Sequence, residues 1–144
     1  MRWKLAAIPL ACVGLYAIPA PGQKPRSAKE GVYTAAQAKR GADAFAAKCA
    51  MCHGGDMQGS GQEAPALAGP EFLVNWGGKT AGQLFDYMRM SMPPNEQGSL
   101  SDQRYADVLA AIFQKNGFAA GETEIPADSK ALSDILIPRP DTEK

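Results

Sequence analysis

Between Lys48 and Gly55 the chain reads KCAMCHGG. Two cysteines stand three positions apart, and the only histidine of the 144 residues follows the second directly. A thiolate is a nucleophile and a soft metal ligand, and imidazole is a proton carrier and a metal ligand. The question is which chemistry uses Cys49, Cys52 and His53 at this spacing.

Four chemistries compete. A structural zinc site wants four nitrogen or sulfur ligands, and this cluster offers three. A thioredoxin-like redox pair belongs at a strand-to-helix turn in a βαβ setting, whereas the residues ahead of Cys49 carry a helical pattern. A plain disulfide suits an oxidising compartment but leaves His53 as coincidence. The fourth is the Cys-x-x-Cys-His attachment site of a c-type haem. Two thiols at this spacing reach the two vinyl groups on one porphyrin edge, and the next residue brings its imidazole to the iron.

A haem needs a sixth ligand or an open position. A single histidine excludes a second imidazole from the same chain, and a methionine thioether is the usual alternative in electron-carrying proteins, where it raises the potential. The run MRMSMPP offers Met88, Met90 and Met92. Met88 lies at helical spacing from Leu84 and Phe85, so it belongs to a core-facing stripe. Met90 is one step round from that stripe. Met92 precedes Pro93 and Pro94, where helix is disfavoured and the chain extends, so its thioether can be presented sideways to a metal. Met92 is the expected ligand; Met57 is the remotest candidate.

Helices are expected to position these groups. Thr34 to Gln37 reads as a capping box, and Ala38, Gly41, Ala42, Phe45 and Cys49 follow at helical spacing, delivering that helix into the cysteine motif. Residues 54–79 are rich in glycine and turn formers and read as one long loop, which a compact domain tolerates when something organises it. Thr80 to Gln83 repeats the capping box ahead of Leu84, Phe85 and Met88. Ser101 caps a third helix, whose Tyr105, Val108, Leu109, Ile112 and Phe113 form one apolar face. Asn116 and Gly117 stop it. No segment shows strand alternation, so the expected class is all-α.

The N-terminus reads as a secretory signal over residues 1–22. Arg2 and Lys4 form a basic start, Leu5 to Ala20 an apolar run, and Ala20 to Gly22 a small-residue cleavage rule that leaves Gln23 first. An uncleaved anchor and a lipoprotein at Cys12 are poorer fits. Bases and acids balance at 15 each; without Arg2 and Lys4 the acids lead by about 2, which disfavours nucleic acid or an anionic membrane as partner. The expected organisation is a linker over 23–30, a haem domain over 31–118, and a C-terminal extension over 119–144. In that extension Ala131 to Ile137 is apolar enough to dock, and Pro138 to Lys144 forms a mobile end.

The residues that surround the motif carry a resemblance. Gly31 to Gln37, Gly41, Phe45, Cys49 to Gly54, Pro65 to Leu67, Phe72, Leu73, Trp76, Leu84, Phe85, Met92, Pro93 and the run from Gly98 to Phe118 resemble a class I c-type cytochrome. The chain is most similar to the small cytochromes and cytochrome domains associated with periplasmic quinoprotein dehydrogenases. The resemblance implies three main helices and loops wrapped around one covalent haem c. It implies thioether bonds at Cys49 and Cys52, with His53 and Met92 as axial ligands. It also implies that the Pro65 carbonyl orients His53 and that Leu67 and Phe72 line the haem with Leu84, Phe85 and Leu109. Gly41, Phe45 and Tyr105 match the crossing of the first and last helices, and Trp76 the neighbourhood of a haem propionate. The implied function is a periplasmic one-electron carrier and not an enzyme. Its partners would be other redox proteins, such as a quinoprotein dehydrogenase as donor and a terminal oxidase or another cytochrome as acceptor. A haem-based small-ligand sensor with a displaceable methionine is the alternative. A peroxidase is disfavoured, because no second histidine can serve as distal acid-base group.

Overall fold

Thr34 ends an extended lead-in by accepting the Gln37 N–H at 3.1 Å, and the first long helix starts there. In a computed structural model of the chain, which describes residues 24–61 and 63–140, the elements run β1 (Arg26–Ser27), α1 (Ala35–Lys48), α2 (Ala50–His53), α3 (Pro70–Trp76), α4 (Ala81–Ser91), α5 (Asp102–Lys115), α6 (Ser129–Leu132) and β2 (Ile135–Leu136). The leader expected over 1–22 and the final residues 141–144 lie outside the described residues. No helix among the described residues is long and apolar enough to cross a membrane.

The helix caps differ in how they close. At Thr80 the box is complete, with Thr80 and Gln83 each satisfying the other's backbone N–H. At Thr34 only half of it forms. The Gln37 amide is fully buried and instead makes two bonds to the Ile125 backbone, donating to its carbonyl at 3.0 Å and accepting its N–H at 2.7 Å. A buried amide needs partners, and the passing C-terminal segment supplies both. Ser101 caps α5 through the Arg104 N–H.

One expectation is corrected. Residues 54–79 are not one loop, because α3 forms inside them, with Gly69 as its N-cap and Pro70 in its first turn. Proline is well placed there, since its missing N–H would have no helical partner. The fold is all-α as expected, with one small addition. β1 and β2 pair in parallel, Arg26 with Ile135 and Ser27 with Leu136, too briefly for an alternating pattern to show in sequence.

The core forms where α1 crosses α5. Gly41 of α1 sits against the Asp107 backbone, and Phe45, Tyr105, Leu109, Ile112 and Phe113 are buried around the crossing. The two terminal segments wrap this body together. Tyr33 Oη donates to the Phe118 carbonyl at 2.5 Å, Gly121 N–H bonds the Tyr33 carbonyl at 2.7 Å, and Ile125, Leu132, Ile135 and Ile137 are all buried.

A polar network ties these layers. Arg40 donates to both oxygens of Asp107 (3.2 and 3.1 Å) and to Glu124 at 2.9 Å, while Gln103 donates to Asp107 at 3.0 Å. Asp107 is 2% exposed. Burial pushes its carboxyl up, but bonds from Arg40 and Gln103 outweigh that and hold it below the usual carboxylate range. A depressed folded value contributes stability that is present above the unfolded value, near about pH 3.9, and is lost as pH falls through the folded value. Asp107→Ala is therefore expected to cost roughly 1–3 kcal/mol at neutral pH, discounted because the arginine side chain is half exposed. Its penalty should shrink as pH falls below about 4, where Asp107 of the unfolded chain protonates first and the folded carboxyl follows at lower pH. Urea unfolding at both pH values checks this; an equal penalty at both would contradict it.

Candidate haem site

Cys49 is the residue at which α1 gives way to α2. Its N–H still bonds the Phe45 carbonyl at 2.8 Å, and its own carbonyl accepts from Cys52 N–H (3.2 Å) and His53 N–H (3.0 Å). This single turn sets both cysteines and the histidine on one corner. Both thiols are free; Cys49 is half-buried and Cys52 exposed. Burial, reinforced by the neighbouring Cys52, pushes the Cys49 thiol up, so it is held as a neutral thiol.

His53 is 8% exposed. Its Nδ1–H donates to the Pro65 carbonyl at 2.9 Å, which leaves Nε2 as the nitrogen able to bind a metal. A ligating imidazole is commonly held this way, with its other nitrogen on a carbonyl that fixes the ring. The loop carrying Pro65 is organised by its own backbone bonds: Gly59 N–H to the His53 carbonyl, Ser60 N–H to Ala64 and Leu67 N–H to Met57, each 2.8 Å. Asn116, at the end of α5, closes it by accepting from Gly69 N–H and donating to the Leu67 carbonyl.

These residues face a cavity of ≈ 820 Å³, large enough for a sizeable planar cofactor. Cys49, Cys52, His53, Pro65, Leu67, Trp76 and Met92 all line it. Phe72 does not; it is fully buried in the core beneath α3. Phe85 and Leu109 are likewise core residues off the wall, whereas Leu84 is on it. The wall also includes Met88, Leu100, Val108 and Ile112, none of which was expected to touch a ligand. Val108 and Ile112 were visible as part of the apolar face of α5. That Tyr105, Val108 and Ile112 look into the cavity while Leu109 and Phe113 pack in the core is a matter of helix rotation, which periodicity leaves open.

Met92 lies just past the end of α4. Its N–H caps the helix on the Met88 carbonyl at 2.9 Å, while its own φ of −124° and ψ of 142° turn the chain away. Tyr105 Oη donates to the Met92 carbonyl at 2.8 Å and pins that turn to α5. Among the other methionines, Met88 shares the wall, Met90 is 71% exposed and off it, and Met57 is buried against a separate, smaller cavity.

The donor set fits a covalently held haem. Two free thiols, an imidazole with one nitrogen already engaged, and the thioethers of Met51, Met88 and Met92 share a wall that is otherwise largely apolar.

Comparisons with known proteins agree with this. The protein family described as cytochrome c oxidase, cbb3-type, subunit III matches residues 36–110. Among solved structures the chain is similar to a chain of the sulfane dehydrogenase SoxCD from Paracoccus pantotrophus. The TM-score is 0.54 at 22% identity, over 92% of this chain and 73% of that one, a likeness of fold. No match was found among the curated proteins.

Proposed function

Starting from a chain that belongs to the cbb3-type cytochrome c oxidase subunit III family and has the class I cytochrome c fold, we propose that it is an exported one-electron carrier with one haem c. The observation that carries this reading is the meeting of Cys49, Cys52, His53 and Met92 on one cavity. When bound, the haem supplies an iron centre that changes oxidation state by one electron. Cys49 and Cys52 would hold it covalently, and His53 and Met92 would ligate its iron. With Nδ1 on Pro65 and the Met92 carbonyl on Tyr105, both ligand-bearing segments are anchored by the protein. Little has to move as the charge changes, which suits a carrier. Leu84, Val108 and Ile112 limit water around the centre and bias the potential upward.

The compartment follows from the leader, whose cleavage would deliver a chain beginning at Gln23 to the periplasm. The donor we propose is a periplasmic quinoprotein dehydrogenase, on the resemblance of the residues flanking the motif; a terminal oxidase or another cytochrome would accept the electron. The surface around the attachment corner supports apolar docking. Met51, between the two cysteines, is 96% exposed, and Tyr87 is exposed on the cavity rim. The rim pair Lys48 and Glu96 neutralise each other at 3.0 Å. Reduction by such a dehydrogenase should therefore change less than about twofold between roughly 0.01 and 0.15 M salt. A steep fall in rate would contradict apolar docking. Carrier function itself requires reversible reduction with no spectral response to added cyanide or carbon monoxide. A full response at low ligand concentration would instead favour a small-ligand binder.

A further inference from the structure

A haem brings two carboxylates into whatever site receives it, on the porphyrin edge remote from the vinyl groups. If Cys49 and Cys52 hold the vinyl edge, as the proposed function has it, the carboxylate edge faces away from the α1–α2 corner. Among the described residues two cations line the cavity, Lys48 and Lys79. Lys48 adjoins Cys49 and is already paired with Glu96 at 3.0 Å. Lys79 stands on the turn between α3 and α4 and has no acidic partner among the described residues. Its Nζ lies 4.6 Å from the Trp76 ring centroid and donates to the Asn75 carbonyl at 2.7 Å. Asn75, Trp76 and Tyr87 line the cavity beside it.

The turn is built to hold this lysine in place. Lys79 N–H bonds the Trp76 carbonyl at 3.0 Å, and the Lys79 carbonyl accepts from Ile137 N–H at 2.9 Å. Gly78 N–H bonds the Ile137 carbonyl at 2.8 Å. Gly78 has a φ of +83°, and a Cβ there would meet the Arg139 guanidinium at 2.4 Å. The C-terminal segment thus fixes the backbone of the turn and brings a second cation against it.

We propose that Lys79, held over Trp76 and braced by the C-terminal segment, is the counter-cation of a haem carboxylate and keeps that carboxylate ionised at neutral pH. The cavity gives the carboxylate few other charged neighbours: Glu63 on the loop that carries Pro65, the Lys48–Glu96 pair, and the hydroxyls of Tyr87 and Tyr105. Arg139 is the remaining charge at this turn. Removing the lysine removes a cation that favours the reduced, less positive iron. It also raises the carboxylate's affinity for a proton, so that reduction by one electron is accompanied by uptake of one proton on that carboxylate.

The test is redox titration of the haem-loaded full chain across pH 5–9 for wild type, Lys79→Gln, Lys79→Arg and Lys48→Gln. In Lys79→Gln the potential should fall and acquire a pH dependence near neutrality that wild type lacks. Lys79→Arg should restore the wild-type profile, and Lys48→Gln should keep it. The Lys79 side chain is exposed, so its replacement should leave the fold intact, and an unchanged optical spectrum checks this. Wild-type potential and pH profile in Lys79→Gln would overturn the proposal while leaving the carrier reading in place. Equal effects from Lys48→Gln would reduce Lys79 to a general surface charge and overturn it too. Haem that extracts freely from denatured wild type would remove both readings.

Discussion

Met92→Ala is expected to convert the haem-loaded protein from a closed, low-spin form to one that binds added ligands, with a lowered reduction potential. The near-infrared band of methionine-ligated oxidised iron should vanish. Affinity for imidazole or cyanide should rise roughly a hundredfold, the equivalent of about 3 kcal/mol no longer spent displacing the thioether. The expectation rests on position. Met92 is the residue at which α4 stops, its backbone has left the helix, and Tyr105 holds its carbonyl. Met90→Ala should change nothing at the metal, because that side chain is exposed and off the cavity wall. Met88→Ala should cost stability, about 2–5 kcal/mol for a buried methionine, yet keep the low-spin spectrum. Loss of the near-infrared band in the Met88 variant and its survival in Met92→Ala would exchange the two assignments.

Gly41→Ala should be among the most destabilising single-methyl additions in the chain. A Cβ at this position would sit 1.7 Å from the Asp107 carbonyl oxygen and 2.4 Å from its carbonyl carbon. Both are backbone atoms of α5, so no side chain can swing aside and the helices must separate. Overpacking of a closed interface commonly costs 1–3 kcal/mol, and a clash this close with rigid backbone should reach about 3 kcal/mol or more. The crossing also carries Phe45 and Tyr105, both on the cavity wall, so its displacement should lower haem retention during maturation. Urea unfolding of the loaded protein and the yield of holoprotein both read this. Wild-type stability in Gly41→Ala would mean that α1 and α5 do not meet here.

Much of the site was legible because its chemistry is local. Cys49, Cys52 and His53 fall within five consecutive residues, and one helical turn suffices to bring them together. The place of Met92, on the cavity wall just past α4, was legible from Pro93, which ends the helix there. The Gly41 crossing was read by resemblance, and its spacing alone would have passed for ordinary helix packing. What sequence hid was long-range and mediated by backbone. Gln37 looked like half of a capping box, but its amide is spent on Ile125, 88 residues away. Phe72 is aromatic and near the motif, yet α3 turns it into the core. Lys79 had no signature at all; its place depends on backbone bonds to Ile137, in a segment without an obvious partner in sequence. The parallel pairing of β1 with β2 was invisible for the same reason.

A haem bonded covalently to Cys49 and Cys52 underlies every role proposed for this site, and one measurement addresses that bond directly. Protein produced with a c-type haem maturation system is denatured in acid–acetone, and the precipitated chain is examined by absorption and intact mass. Haem absorption should stay with the precipitate, and the mass should equal the chain plus one haem. Cys49→Ser combined with Cys52→Ser should abolish both signals. Haem recovered entirely in the acetone, with an unmodified chain in the pellet, would contradict the assignment.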